Sequence, residues 1–285
     1  MRMLLGSGVI LGVLLTGLAP RAQHALAPGA AAVFEAASIK ERTAPGDGSF
    51  VGRQPGGRFT TQNATLREII EYAYELQGFQ LVGSLAPIDG ARWDITATLG
   101  TGATPDAIVP AVRALLADRF GLSVHRETRT LQVYALRTAR PDGTPGPRLT
   151  KSALDCQALM AAARRGGGPP PPEARQCGFR GRIGSLQSSG MPLTELALAL
   201  SGRVGRAIVD QTGLTGPWDL TLTYAPDSAQ IPAGTLAPDA PAPASNPDAP
   251  ILFTALQEQL GLRLVSTTAP VDVLVVDRVA RPTPD

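Results

Sequence analysis

The strongest constraint on this chain is an internal repeat, because short blocks of its first half return in the same order in its second half. The offset between matching blocks drifts only from 124 to 140 residues, and ordered self-similarity of this kind indicates a duplicated structural unit. We therefore interpret the chain as two tandem copies of one unit. The matching blocks are Gly57–Phe59 with Gly181–Ile183, Leu66–Ile70 with Leu193–Ala197, Trp93–Thr96 with Trp218–Thr221, Leu115–Leu122 with Ala255–Leu262, and Val133–Leu136 with Val273–Val276.

Two helices are predicted in each copy. Apolar residues at positions 66, 69, 70 and 73 follow helical spacing, and Thr65 with Glu68 forms a capping-box start. The counterpart helix follows Pro192, which suits a first helical turn. The second helix of each copy is bracketed by a proline that opens it and a glycine that suits a left-handed cap. These pairs are Pro110 with Gly121 and Pro250 with Gly261.

Short apolar or alternating runs between the helices predict strands. Each copy then has the order β-α-β-β-α-β-β, and helices packed on mixed sheets give an α+β fold. The predicted strands are Val33–Lys40, Phe79–Val82, Trp93–Leu99, Leu122–Glu127, Leu131–Thr138, Ala207–Asp210, Trp218–Tyr224, Leu262–Ser266 and Val271–Val279.

The predicted domain organisation follows the repeat. Residues 28–140 form the N-terminal α+β unit and residues 181–285 form the C-terminal unit. Residues 141–180 are predicted to be a Gly/Pro-rich loop closed by a disulfide. Residues 226–250 form a Pro/Ala-rich insertion without periodicity, which indicates an extended loop inside the second copy.

The first residues have the layout of a secretory signal peptide. A short positive start precedes the uncharged apolar run Leu4–Leu18, and Ala25-Leu26-Ala27 offers an Ala-x-Ala exit, so we predict a signal peptide at residues 1–27. The alternative is an N-terminal anchor that is not cleaved. Cys156 and Cys177 both follow this segment, and an even pair in an oxidising compartment predicts a disulfide. A metal or redox pair is disfavoured because the spacing is not C-x-x-C.

The charge balance disfavours a nucleic-acid partner. Removing residues 1–27 takes away Arg2 and Arg21 and no acids, which leaves 24 basic against 24 acidic residues. Nucleic-acid binding depends on a basic surface, and the remaining chain has no basic excess.

Motifs that would name a reaction are missing from the sequence. It contains no HExxH, Walker loop, G-x-S-x-G or dinucleotide fingerprint, so we expect no cofactor and no metal. His125 is the one histidine after residue 27; it is a candidate general base or ligand contact, with a half-exposed strand position as the alternative.

Two further pairs of residues are equivalent across the repeat. Trp93 and Trp218 are candidates for stacking on a sugar in a cleft between the copies, and packing in the core or at its rim is the favoured alternative. Asp94 and Asp219 follow them and would suit a carboxylate-based hydrolase, although a structural role at a strand start is favoured.

Several runs together resemble a domain-of-unknown-function family of secreted proteins from soil bacteria. The resemblance spans about residues 33–282 and implies export and a shared fold, with no established activity. Some relatives carry the domain after a membrane metallopeptidase of the beta-lactam-sensor type, which this chain lacks. The runs are Phe34–Lys40, Gly56–Tyr74, Leu115–Leu136, Ile208–Leu222 and Leu252–Thr267.

A weaker likeness links Leu193–Gly216 to the short N-terminal domain of secretins and TonB-dependent receptors, which mediates contacts in the envelope. The leading hypothesis is a periplasmic or extracellular binding module that is not an enzyme, whose partner is an envelope protein or a small ligand. Membrane contact is expected only through an uncleaved N-terminal segment. The alternatives are a carboxylate-based hydrolase of an envelope polymer and a structural envelope component.

Overall fold

The computed structural model describes residues 32–43, 46, 48–86, 88–100, 102, 104–166, 171–182, 184–226 and 249–282. The predicted signal peptide at residues 1–27 lies outside the described residues. Residues 227–248, which make up most of the predicted insertion, lie outside them as well. Helices and strands alternate through several sheets, which confirms the predicted α+β class. No helix among the described residues is long and apolar enough to cross a membrane.

The described chain contains twelve strands and five helices in the following order. The elements of the first half are β1 Phe34–Arg42, β2 Phe50–Gln54, β3 Arg58–Thr65, α1 Leu66–Tyr74, β4 Leu81–Val82, β5 Arg92–Leu99, α2 Ile108–Arg119 and β6 Ser123–Thr138. The elements of the second half are β7 Leu149–Lys151, α3 Cys156–Gly166, β8 Gly178–Arg182, β9 Ser185–Met191, α4 Leu193–Val204, β10 Ile208–Asp210, β11 Trp218–Thr223, α5 Leu252–Ala255 with a π-helical continuation Leu256–Leu260, and β12 Leu262–Arg278.

Two outer sheets share one strand order. The first sheet has the order β1-β5-β3-β2 and the third sheet has the order β7-β11-β9-β8, and every neighbouring pair in both is antiparallel. In each sheet the third strand leads directly into a helix, α1 or α4. This correspondence supports the interpretation of the sequence as two related copies.

The second, central sheet joins the two halves through an exchange of strands. Its order is β10-β6-β12-β4, with β6 and β12 antiparallel at the centre. The short strand β4 of the first half pairs with β12, where Leu81 lies opposite Leu274. The short strand β10 of the second half pairs with β6, where Ile208 lies opposite Tyr134. The short strand of each half therefore pairs with the long strand of the other half within this one shared sheet.

The prediction of two consecutive strands at the end of each copy was wrong. Residues 123–138 form one strand of 16 residues, and residues 262–278 form one strand of 17 residues. The polar stretch around Thr128 and Arg129 suggested a turn, but it is the middle of the β6–β12 ribbon. Side chains there are exposed on both faces because this part of the ribbon lies between the two cores. The polar residues therefore indicate an exposed stretch of a continuous strand and not a turn.

The two hydrophobic cores follow the same exchange. The first core contains Trp93, Phe120 and the helix stripe of α1, together with Leu274 and Val276 from β12. The second core is built around α4, β11 and the α5 region, together with Leu136 from β6. Each long strand starts in the core of its own half and ends in the core of the other half.

The second set of elements begins earlier than the predicted boundary at residue 181. Strand β7 occupies the edge position that β1 has in the first sheet, and it lies at residues 149–151. Helix α3 also lies between residues 141 and 180, so this segment has regular structure that the Gly/Pro-rich composition did not predict. The predicted disulfide between Cys156 and Cys177 is confirmed.

Local sequence signals fix the helix ends. The side chain of Thr65 accepts the Glu68 N–H, and Glu68 accepts the Thr65 N–H, which confirms the capping box. Helix α2 begins at Ile108 and places Pro110 in its first turn. The α5 region ends at Gly261, whose φ of 67° is the left-handed cap that glycine adopts without steric cost.

We expect the halves to fold only together, because each core needs a strand from the other half. Residues 32–142 and 143–282, produced as separate polypeptides and mixed under oxidising conditions, should form a stable one-to-one complex. Size-exclusion chromatography and circular dichroism measure this. Alone, each fragment should aggregate or stay unfolded, since it exposes the apolar surface that the missing strand covers. A fragment that is a folded monomer with cooperative unfolding would contradict the exchange.

Candidate functional site

The two predicted tryptophans lie inside the two cores. Trp93 is 2% exposed and meets the Phe120 ring edge-on, with the centroids 5.2 Å apart. Trp218 is 3% exposed, and Lys151 places its Nζ 4.0 Å from the ring centroid. This burial supports the packing role that was the favoured alternative. Stacking of either ring on a ligand stays a prediction.

His125 lies at the surface of the central ribbon. Its side chain is about half exposed, with Nδ1 2.8 Å from Asp277 Oδ1 and Nε2 3.5 Å from Glu127 Oε2. Glu127 is in turn hydrogen-bonded by Arg129, which lowers the pKa of that carboxyl. Among the described residues, the recorded partners of the imidazole are these two carboxylates. They orient the ring but supply no nucleophile for it to activate.

The three predicted ligand contacts are not brought together by the fold. Trp93 lies in the first core, Trp218 lies in the second core, and His125 lies on the ribbon between them. Among the described residues, no group of three or more His, Cys, Asp or Glu side chains could hold a metal ion.

Asp94 and Asp219 hold equivalent irregular points in the outer sheets. The Asn63 N–H donates to Asp94 Oδ1 over 2.7 Å, and the Gly190 N–H donates to Asp219 Oδ1 over 2.9 Å. Both donors are left-handed, with φ of 50° and 66°, and each precedes the helix-starting segment by the same number of residues. Asparagine and glycine are the residues that adopt this conformation most readily. Each aspartate therefore fixes the irregular turn near the end of β3 or β9, opposite the start of the neighbouring strand β5 or β11.

The first-sheet aspartate is also paired with an arginine. Arg42 donates to both oxygens of Asp94 from Nε and Nη2, the shortest contact being 2.9 Å. The hydrogen bonds from Arg42 and from the Asn63 N–H hold the pKa of Asp94 below its ordinary value.

A hydroxyl pair shows how the two halves differ at the next position. Thr61 donates to the Trp93 carbonyl and accepts the Ile95 N–H, each over 2.9 Å, in a fully buried place. Ser188 is the residue of β9 that corresponds to Thr61, and it is also buried, but its Oγ has no partner among the described residues. The hydroxyl thus stabilises the first sheet without an equivalent bond in the third.

A large cleft lies between α1 and α2 and opens beside the edge strand β2. We call it the α1–α2 cleft; its volume is about 730 Å³. Arg113 is already engaged there, donating to the Ala73 carbonyl over 2.6 Å and stacking 4.9 Å over the Tyr74 ring. The lining residues are Arg53, Tyr72, Glu75, Asp106, Val109, Pro110 and Arg113.

Arg53, Tyr72 and Asp106 are the polar lining residues of this cleft whose side chains make no hydrogen bond or ion pair within the described part of the chain. No hydrogen bond or ion pair of Arg53 is recorded among the described residues. The Tyr72 ring packs 5.4 Å from Phe59, which fixes its direction. Burial raises the pKa of the Tyr72 phenol, while the nearby Arg53 lowers it and Glu75 raises it further, and the net direction is upward. The hydroxyl therefore stays protonated and able to donate.

Two other clefts are smaller. One of about 450 Å³ lies beside the disulfide and includes Met160 and Met191. The other, of about 410 Å³, lies between β1 and α2 and includes Val33, Ala111 and Leu115. None of the three clefts is lined by the predicted contacts Trp93, Trp218 or His125.

Sequence reasoning missed the α1–α2 cleft because its residues come from three separate elements. Arg53 lies on β2, Tyr72 on α1 and Arg113 on α2, and no motif or spacing connects them. One signal was present: Tyr72 lies outside the buried helical stripe at positions 66, 69, 70 and 73, so its ring does not belong to the central core.

Comparison with known protein families identifies the chain at family level. The model of DUF3738, described as a protein of unknown function, matches residues 67–279, about three quarters of the chain. The chain belongs to DUF3738. The match confirms the resemblance to a domain-of-unknown-function family. It runs from α1 to the end of β12, so the DUF3738 region includes both exchanged strands. No curated protein and no solved structure matches the chain.

The hydroxyl pair gives a stability prediction with an internal control. Thr61→Val should lower the free energy of unfolding by about 1–3 kcal/mol, because it leaves the buried Ile95 N–H without its acceptor. Ser188→Ala at the corresponding position should change it by less than about 0.5 kcal/mol, since the serine hydroxyl has no partner to lose. Chemical denaturation of both variants measures the difference. Equal losses would show that the two hydroxyls have the same role.

The Arg42–Asp94 pair predicts a pH-dependent difference. Because the pKa of Asp94 is lowered in the folded state, its contribution to stability is complete above the unfolded pKa and is lost as the pH falls through the folded pKa. Arg42→Gln should therefore be less stable than the parent by at most about 1 kcal/mol at neutral pH, and the two should converge as the pH falls through the lowered pKa of Asp94. Urea denaturation at several pH values tests this. Arg58→Gln, an equal loss of charge on β3, should show no such convergence.

Proposed function

We propose that this DUF3738 chain is an exported binding module that is not an enzyme, and that it holds a small ligand with an acidic group in the α1–α2 cleft. The observation that carries the proposal is the pairing, in this cleft, of an unengaged guanidinium with a donating phenol. Ligand sites are typically concave, with a few polar groups on an apolar lining, and about 730 Å³ lies within the usual range.

The lining contains two cations and two anions, so its net charge does not select the ligand. An acidic group would bind at the unengaged guanidinium of Arg53, and Asp106 is the anion that would oppose it. The Arg113 guanidinium is occupied by the Ala73 carbonyl and the Tyr74 ring, and its Nη2 lies 3.9 Å from Glu75. Arg53 is the remaining cation, and a guanidinium binds a carboxylate or phosphate through two parallel hydrogen bonds. The Tyr72 hydroxyl would add a third donor, while Val109 and Pro110 supply apolar contact.

Export is proposed on two supports. Disulfides persist in oxidising compartments, and the Cys156–Cys177 bond is present. The first residues have the pattern of a signal peptide, with a positively charged start followed by an apolar run. A periplasmic or extracellular location, with an envelope molecule as partner, agrees with both.

The carboxylate-based hydrolase is not favoured by the aspartates that suggested it. Such an enzyme needs two acids that face one substrate, one of them protonated. Asp94 and Asp219 lie in different outer sheets, and each accepts a backbone N–H at the start of a strand. At Asp94 these hydrogen bonds also lower the pKa, which is the reverse of what a general acid requires.

A thermal-shift screen of residues 28–285 tests the proposed cleft. The panel contains N-acetyl amino acids, hydroxy acids and short peptides, each beside its uncharged amide. An acidic ligand at about 100 times its Kd should add about 2.7 kcal/mol, a rise of several degrees in Tm. Arg53→Gln should weaken its binding by about tenfold or more, through loss of a charged hydrogen bond.

The matched control is Arg182→Gln, which removes the same charge from β8, the equivalent edge strand of the third sheet. It should bind as the parent does. The proposal fails if no acidic compound raises Tm, if the amides bind equally well, or if both arginine variants lose binding alike.

A further inference from the structure

The outer face of the third sheet contains a polar pocket of about 290 Å³, separate from the α1–α2 cleft. Most of its lining side chains are polar, namely hydroxyls, an amide, one carboxylate and one guanidinium from β7, β9, β11 and the segment before β7, and Pro147 and Leu220 add apolar contact. We call it the sheet pocket. The polar side chains at this outer face include those of Arg148, Thr150, Gln187, Ser189, Asp219 and Thr221.

Asp219 differs from its counterpart Asp94 in what remains unbound. Asp94 is covered by Arg42, the last residue of β1. Strand β7 ends one position earlier, and Ser152 stands where the first sheet has Arg42. Asp219 Oδ1 accepts the Gly190 N–H, and no partner of Oδ2 is recorded among the described residues. The third sheet thus presents a fixed carboxylate with a free oxygen, which the first sheet does not.

The polar side chains of the sheet pocket carry balanced charge. Asp219 can only accept hydrogen bonds, Arg148 can only donate them, and the hydroxyls and the amide can do both. Arg148 is oriented by a bond to the Gln259 side chain over 3.2 Å. One acid and one base leave no net charge to attract an ion. The matching ligand is neutral and carries neighbouring hydroxyls, each of which both donates and accepts.

An added peptide strand is disfavoured because the chain already covers this edge of the sheet. The Gln259 side chain donates to the Thr223 carbonyl over 2.7 Å and accepts the Thr223 N–H over 3.0 Å, as a neighbouring strand would. Closer to β7, the Arg148 carbonyl accepts the Thr221 N–H. The main-chain groups of Thr221 and Thr223 that a peptide strand would pair with are therefore already hydrogen-bonded. A ligand would be bound by the side chains of the outer face.

We propose that the sheet pocket is a binding site for a neutral saccharide, with Asp219 and Arg148 each bonded to ring hydroxyls and Thr150, Gln187, Ser189 and Thr221 completing the contact. Its volume is at the lower end of ligand sites, which suits one or two sugar rings. The Gly190 N–H holds Asp219 in place before any ligand arrives, so little ordering is needed on binding.

The test is calorimetric titration of the full mature chain with cellobiose, maltose and di-N-acetylchitobiose. Glucuronic acid and glucosamine serve as charged comparisons. Binding of at least one neutral disaccharide with a Kd on the order of 1 mM or tighter is expected. Asp219→Asn should weaken it by about tenfold or more, as should Thr221→Val.

The first sheet supplies the matched controls. Asp94→Asn and Thr96→Val make the same changes at the corresponding positions and should bind as the parent does, and so should Arg53→Gln in the α1–α2 cleft. The proposal is overturned if no neutral disaccharide binds, if a charged sugar binds better, or if the two aspartate variants lose binding equally. Loss on Arg53→Gln alone would overturn it as well, by placing the sugar in the other cleft.

Discussion

The antiparallel pairing of β6 with β12 is the interaction on which the rest of the structure depends. It continues with one irregularity from Leu262 opposite Thr138 to Arg278 opposite Ser123, and it delivers the end of each strand to the core of the other half. Beside the end of β12, Gly83 lies so close to Val276 that a β-carbon on residue 83 would come within 2.8 Å of the Val276 carbonyl oxygen. Neither core is complete without the ribbon, so folding of the two halves is coupled.

This coupling separates what must stay alike in the two halves from what can differ. Both outer sheets keep a buried tryptophan, an aspartate beside it and a left-handed residue that donates to the aspartate, because each sheet must turn into its helix in the same way. The outward faces have no such requirement. Arg42 neutralises Asp94 on one face, while the same framework leaves part of Asp219 open on the other. Different ligand surfaces can therefore be built on one backbone plan.

The sequence predicted features that local chemistry determines and missed those that depend on long-range pairing. The Thr65 capping box and the Gly261 cap require only neighbouring residues, and both are present. A polar stretch such as that around Thr128 looks like a turn, because the sequence does not show that a strand leaves one core and enters another. Arg53 could not be assigned to a site for a related reason, since its neighbours in the cleft come from two helices further along the chain.

The chemistry of the aspartates explains why binding suits this framework better than catalysis. A carboxylate that accepts a backbone N–H is fixed in position, which makes it a directional acceptor for hydroxyl or amide donors. At Asp94 the hydrogen bonds also lower the pKa, which makes that carboxyl a poor source of protons. His125 is likewise held between two carboxylates and has no recorded nucleophile beside it among the described residues. Rigid hydrogen-bond acceptors and donors on the outer sheets are what the proposed ligand sites require, because little ordering is then needed when a ligand binds.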